Sequence, residues 1–253
     1  MGLLDNKTAI VTGSSRGIGA DVAKILASEG AAVVVNYRQK APRANKVVQG
    51  IEAAGGRAVA VGADLTTQEG VQALASAAME NFGSLDILVL NASGGMETGM
   101  GEDYALKLNR DAQINMLNAA VPLMQEGSRV VFVTSHQAHF INTVPTMPAY
   151  EPVARSKRAG EDALRELIPN LAEKGISLVV VSGDMIEGTV TATLLDRSTP
   201  GAIEARRAEA GKLYSVEEFA QVVAGMATAD VESGHTEYAG GADYFGKSAE
   251  ASS

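Results

Sequence analysis

Residues 7–30 read KTAIVTGSSRGIGADVAKILASEG. The stretch opens on a short β-branched apolar run and closes on a helical pattern. Gly13, Gly17 and Gly19 lie between the two, with Ser15, Arg16 and Ile18 among them. Val22, Ile25 and Leu26 recur at helical spacing, and Gly30 ends the pattern. A strand that turns sharply into a helix needs small residues at the turn. If the turn also lies against a pyrophosphate, its backbone must approach closely and the first helical amides must face the anion. A glycine triplet in a strand–turn–helix context at the first βα junction therefore reads as a dinucleotide-binding turn. The plainer reading is a tight turn alone.

The same alternation continues outward. AAVVVNY (31–37), RAVAVGAD (57–64), LDILVLN (85–91), SRVVFVTS (128–135) and ISLVVVSG (176–183) are near-continuous apolar runs, and HTEYAGG (235–241) is a last short strand. Between them come amphipathic helices: 41–56, then 67–83 opening on a threonine cap, then about 103–125. Further helices begin near Pro152, span roughly 189–210, and cover 215–227. Strands apolar on both faces, alternating with helices, predict an α/β fold of the Rossmann type. It is a doubly wound parallel sheet of about seven strands with helices on both faces. No composition shift marks a boundary, so residues 1–253 are expected to form one domain. The chain has 253 residues, 46% of them hydrophobic, with 27 glycines, no cysteine and a formal charge of −9. The absence of cysteine excludes disulfides and thiolate metal sites. The acidic balance argues against a nucleic-acid partner, whose phosphates need a basic face. No long apolar run predicts a membrane span and no leader pattern is seen, so a cytoplasmic protein is expected.

The second strand ends in Asn36, Tyr37 and Arg38. A dinucleotide fold selective for NAD usually places an acid there to accept from the ribose hydroxyls. An acid would repel a 2′-phosphate, and Asn36 does not. Arg38 and Arg16 offer forked donors that suit a phosphate, although either could be an ordinary surface charge. NADP(H) is therefore favoured over NAD(H). Asp64 and Asn91 follow strand ends, where open α/β sheets bind ligands, or else they cap their own turns.

TGSSRGIG, NYR, ADL, LDILVLNASG, Asn109 in LKLNRD, VVFVTS ending at Ser135, Lys157 in ARSK and VVVSGDMIEGT occur in that order. This series resembles the short-chain dehydrogenase/reductase family over nearly the whole chain, and is similar in pattern to its three-oxo-acyl reductase-like members. The resemblance implies that Asp64 and Leu65 flank the adenine, and that Asn91 and Ala92 line the ribose. It also implies that Lys157 holds the nicotinamide ribose, with Gly183, Ile186 and Thr189 near the carboxamide. It further implies a homotetramer or homodimer. The family's chemistry uses a serine to orient a carbonyl oxygen and a tyrosine to give it a proton. A lysine lowers the tyrosine's pKa, and an asparagine holds a relay water.

Ser135, Lys157 and Asn109 match that set, but Val153 stands where the tyrosine belongs. Leu90 replaces the first of two usual asparagines, Ser182 replaces a proline, and the run from Asn91 to Asn109 is short for the family. Tyr150 lies seven residues before Lys157. That is about 10 Å along a helix axis, against about 6 Å for the usual four-residue spacing. Pro152 suits a first helical position, with Glu151 as the cap and Tyr150 just outside. From there the phenol could reach back as the acid, or serve as a packing aromatic. A water chain through Asn109 and Lys157 is a further route for the proton, and His136 and His139 in TSHQAHF are other candidates. No acid in that stretch gives them a metal-ligand pattern, so no metal is expected, and no nucleophile elbow surrounds Ser135. The expected function is NADP(H)-dependent hydride transfer between nicotinamide and a small carbonyl or alcohol. The catalytic set is Ser135, Tyr150, Lys157 and Asn109. The alternative is a cofactor-binding sensor or partner-binding protein without turnover.

Overall fold

In the computed structural model, which describes residues 2–96 and 103–245, seven parallel strands form one sheet in the order β3-β2-β1-β4-β5-β6-β7. The strands are β1 Thr8–Val11, β2 Ala32–Tyr37, β3 Arg57–Gly62, β4 Leu85–Leu90, β5 Met124–Ser135, β6 Ser177–Gly183 and β7 Thr236–Ala239. The chain runs outward from β1 to β3, returns across it to β4, and continues to β7. The loops that leave the carboxyl ends of β1 and β4 therefore diverge and open a crevice between them.

Alternate residues of each strand enter different cores, as the two-residue period of a strand requires. Val11, Val33, Val131 and Val179 pack with the helices α1 (Gly17–Ser28) and α2 (Ala41–Ala53) on one face. Ile10, Val34, Leu88 and Val130 pack with α3 (Gln68–Phe82) on the other. The central strands are buried on both faces, which explains their unbroken Val, Ile and Leu runs. Thr67 caps α3 as expected, accepting from the Gly70 amide.

Four expectations about elements are corrected. The helix expected over 103–125 is broken into α4 (Tyr104–Leu106), a π-helical turn (Lys107–Asp111), α5 (Ala112–Ala120) and a 3₁₀ turn (Val121–Leu123). Pro122 lies in that last turn, and β5 begins at Met124, earlier than expected. Residues 97–102 of the short Asn91–Asn109 run lie outside the described residues. A four-residue helix, α6 (His136–His139), follows β5; α7 (Glu151–Glu166) and α8 (Ile168–Ala172) precede β6. The cap of α7 is Tyr150, not Glu151, and Pro152 is the second helical residue. The stretch near 189–210 is two helices, α9 (Val190–Ser198) and α10 (Ala202–Ala210). Pro200 and the left-handed Gly201 (φ 86°) separate them. The helix α11 (Val216–Gly225) carries a capping box between Ser215 and Glu218.

Candidate active site and nucleotide cleft

A cleft of about 760 Å³ runs across the carboxyl ends of the strands. Its floor is the turn between β1 and α1. Gly17 takes φ 57° there, which favours glycine, and a Cβ on Gly19 would stand 2.5 Å from the Asn91 amide nitrogen. Asn36 is buried and cross-links this turn. Its Oδ1 accepts from the Gly13 N–H at 2.9 Å, and its Nδ2 donates to the Ala63 carbonyl. Its side chain is thereby committed to shaping the turn. The Thr12 hydroxyl gives the β4 end the same support, accepting from the Asn91 and Ala92 amides at 2.9 Å. Asn91 itself donates to the Thr12 carbonyl. Asp64 caps its own turn, accepting from the Thr66 amide and hydroxyl, and it also lines the cleft. The N-terminus of α1 has no side-chain cap, so its first amides stay open to an anion.

Gly13, Ser15, Arg16, Gly17, Ile18 and Gly19 all line this cleft, as do Asn36, Tyr37, Arg38, Asp64, Leu65, Asn91 and Ala92. At the end near β2 the exposed cations are Arg16, Arg38, Lys40 and Arg43. Lys40 and Arg43 are two cations of the cleft beyond the expected Arg16 and Arg38. The basic spacing of RQKAPR (38–43), just past the second strand, was the available signal.

The other end holds Ser135, Tyr150, Lys157, Gly183, Ile186 and Thr189, with Gln137, Met185 and Leu195 in addition. Tyr150 caps α7 with a backbone in the right-handed helical region (φ −103°, ψ −13°). Its hydroxyl lies 3.3 Å from Ser135 Oγ. Burial pushes this phenol above its ordinary range, and the Ser135 bond opposes the shift. Lys157 is buried at 8% exposure, and its ammonium makes no hydrogen bond to a described residue. Desolvation pushes it down to about 8, opposed by the carboxylate of Glu161 one turn further along α7.

The remaining candidates lie away from the cleft. Asn109 sits in the π turn, donates to the Gly94 carbonyl and Ser156 hydroxyl, and accepts from the Gly94 amide. It ties the loop after β4 to α7. His136 is fully buried, with Nδ1 2.8 Å from the Ser182 hydroxyl and Nε2 2.9 Å from the Gly240 carbonyl. A carbonyl only accepts, so Nε2 carries the hydrogen and Nδ1 takes the serine's. Burial lowers its pKa. His139 bonds Glu161 and the Tyr238 hydroxyl. Neither histidine lines the cleft, so neither is placed to reach a reacting group there. Val153 is also buried, packed with Ala138, Ala154 and Met185.

The profile of the short chain dehydrogenase family matches residues 7–198. The chain belongs to this family. It is 35% identical over 239 residues to an uncharacterized oxidoreductase of Methylorubrum extorquens, covering 91% of this chain and 94% of the relative. It is 32% identical over 204 residues to versicolorin reductase 1 of Dothistroma septosporum, covering 78% and 76%. The fold superposes with a TM-score of 0.79 on a short chain dehydrogenase from Burkholderia cenocepacia in complex with NADP. That protein is 31% identical, and the match covers 93% of this chain and 97% of that one. Val153 lies in packing, and the phenol beside Ser135 comes from one turn earlier. Ser182, in place of the usual proline, partners His136.

Proposed function

We propose that the chain is an NADP(H)-dependent reductase of a small carbonyl compound, formed as one nucleotide-binding domain, with Tyr150 as proton donor. One observation carries this reading: the Tyr150 hydroxyl is within 3.3 Å of Ser135 Oγ in the cleft that Lys157 also lines. The cofactor choice is supported by the four cations near β2, by the absence of an acid at the Asn36 position, and by NADP in the Burkholderia relative. The uncapped α1 amides and the unbonded Lys157 ammonium suit a dinucleotide. Nicotinamide, when bound, supplies the hydride. Ser135 and Tyr150 hold the carbonyl oxygen between two hydroxyls, and Tyr150 gives it the proton. Lys157 binds the ribose by charge and hydrogen bond. Asp64 and Leu65 border the adenine, Asn91 and Ala92 the ribose, and Gly183, Ile186 and Thr189 the carboxamide. Asn109 acts by positioning, because its amide fastens Gly94 to α7. An assembly of two or four copies in the cytoplasm accompanies this reading.

The raised pKa of Tyr150 favours one direction. A phenol that stays protonated through neutral pH can donate to a carbonyl, but it cannot take a proton from an alcohol. Carbonyl reduction should proceed at neutral pH, while alcohol oxidation should stay slow there and gain only as the medium becomes strongly alkaline. Tyr150→Phe should lower reduction roughly 10²–10⁴-fold with NADPH affinity unchanged. Steady-state rates against a panel of ketones and aldehydes, beside fluorescence titration with NADPH, measure both. Full activity in Tyr150→Phe would remove the phenol from the mechanism. If the unmodified protein binds NADPH yet reduces nothing in the panel, the sensor reading replaces this one. The displaced tyrosine favours that second reading.

A further inference from the structure

Tyr104, the first residue of α4, reaches across the nucleotide end of the cleft to the end of β2. Arg38 Nη1 donates to its hydroxyl, and the Arg38 guanidinium carbon lies 5.6 Å from the centre of its ring. Both residues line the cleft. They come from opposite walls, because β2 and β4 flank β1 in the sheet. Tyr104 is part-buried and packs against the core layer beneath α3, so its ring is held in place.

The cations at this end, Arg16, Arg38, Lys40 and Arg43, all belong to the β1–α1 turn or the chain after β2. The facing wall contributes Asn91, Ala92, Ser93, Tyr104 and Leu108. The Asn91 amide is committed to the Thr12 carbonyl. Tyr104 is the facing-wall residue whose hydroxyl already meets an arginine of the cation set. A phenol suits both neighbours at once: its ring face attracts a guanidinium, and its O–H donates to an anion.

We propose that Tyr104 is a specificity-determining residue that completes, with Arg38, the subsite for a phosphate on the adenosine ribose. Its hydroxyl donates to a phosphate oxygen, while its ring holds the guanidinium plane ready for the same phosphate. This rests on the NADP(H) reading above.

The test compares the unmodified protein with Tyr104→Phe, which keeps the ring and removes the donor. The probes are NADPH, NADH, 2′,5′-ADP and 5′-ADP, titrated calorimetrically. A hydrogen bond to a charged group implies that NADPH and 2′,5′-ADP bind roughly tenfold more weakly to the variant, with NADH and 5′-ADP unchanged. Tyr104→Ala should weaken the two phosphorylated ligands further, since the contact that holds the Arg38 guanidinium is also lost. Unchanged NADPH affinity in Tyr104→Phe overturns the assignment, as does an equal loss for NADPH and NADH. If the unmodified protein binds NADH as tightly as NADPH, it is the cofactor reading that fails. If it prefers NADPH and Tyr104→Phe keeps the full preference, only the role of Tyr104 fails. Thermal melts of both variants establish that they are folded.

Discussion

Lys157 shows how one side chain can oppose stability while serving a site. Buried on α7 without a hydrogen bond to a described residue, it is pushed down to about 8 from 10.5. The folded chain therefore holds this proton less tightly than the unfolded chain does. Below pH 8 the charge is present in both states, and the folded state carries the full cost of burying it, about 3 kcal/mol at 1.36 per unit. As pH rises from 8 to 10.5 the folded chain loses the proton first, and this group's burden is lifted. Lys157→Met should raise the stability of the cofactor-free protein at pH 7 by up to about 3 kcal/mol and flatten the gain above pH 8. It should also weaken NADPH binding. Urea unfolding at pH 7 and pH 9.5 reads the first effect. An unchanged pH slope would mean that the lysine is solvated in the folded chain. Val153 fills a neighbouring position without facing the cleft, its Cγ2 3.1 Å from where a Cβ on Gly95 would stand. A phenol at that position would have to enter packed core.

At the scale of elements, α9 lines the Ser135 end of the cleft, and Arg206 fastens the neighbouring α10 to the residue after β6. From α10 its Nε donates to both Asp184 oxygens at 2.9 and 3.0 Å, and its Nη atoms donate to Asp243. Its guanidinium also lies over the Tyr244 ring at 4.8 Å. Asp184 follows β6 directly and lines the cleft beside Met185. Removing the arginine leaves a buried carboxylate without its counter-charge, and this typically costs about 3–5 kcal/mol. Arg206→Ala should lose stability of that order in chemical denaturation and raise KM more than it lowers kcat, because Asp184 and the cleft wall it belongs to lose their anchor. Arg206→Lys, which keeps charge but not the fork, should fall between. If Arg206→Ala keeps the native KM, Asp184 and this wall are held without the arginine.

For the whole molecule, a ligand that binds only the folded chain stabilises it by mass action. NADPH at a hundredfold its Kd should contribute about 2.7 kcal/mol, a rise in Tm of roughly 5–10 °C for a chain of this length. NADH at equal concentration should give less, and no shift with either would remove the nucleotide from the cleft. No helix among the described residues is long and apolar enough to cross a membrane. The sheet, its helical faces and the glycine turn after β1 were legible in the chain itself. Valine and isoleucine runs, amphipathic periods and glycine spacing are local patterns, and burial on two faces leaves a clear trace in composition. The breaks after Asp103 were less legible, since a π turn is decided by what packs on it: a Cβ on Gly160 would lie 2.1 Å from the Asn109 carbonyl oxygen. Tertiary structure alone decided which polar groups meet. Tyr150 reaches Ser135 from outside the helix, His136 turns into the core toward Ser182, and Tyr104 crosses to Arg38. Each of these pairs joins residues from different elements. Their distance is set by how helices and strands pack, which spacing along the chain does not encode.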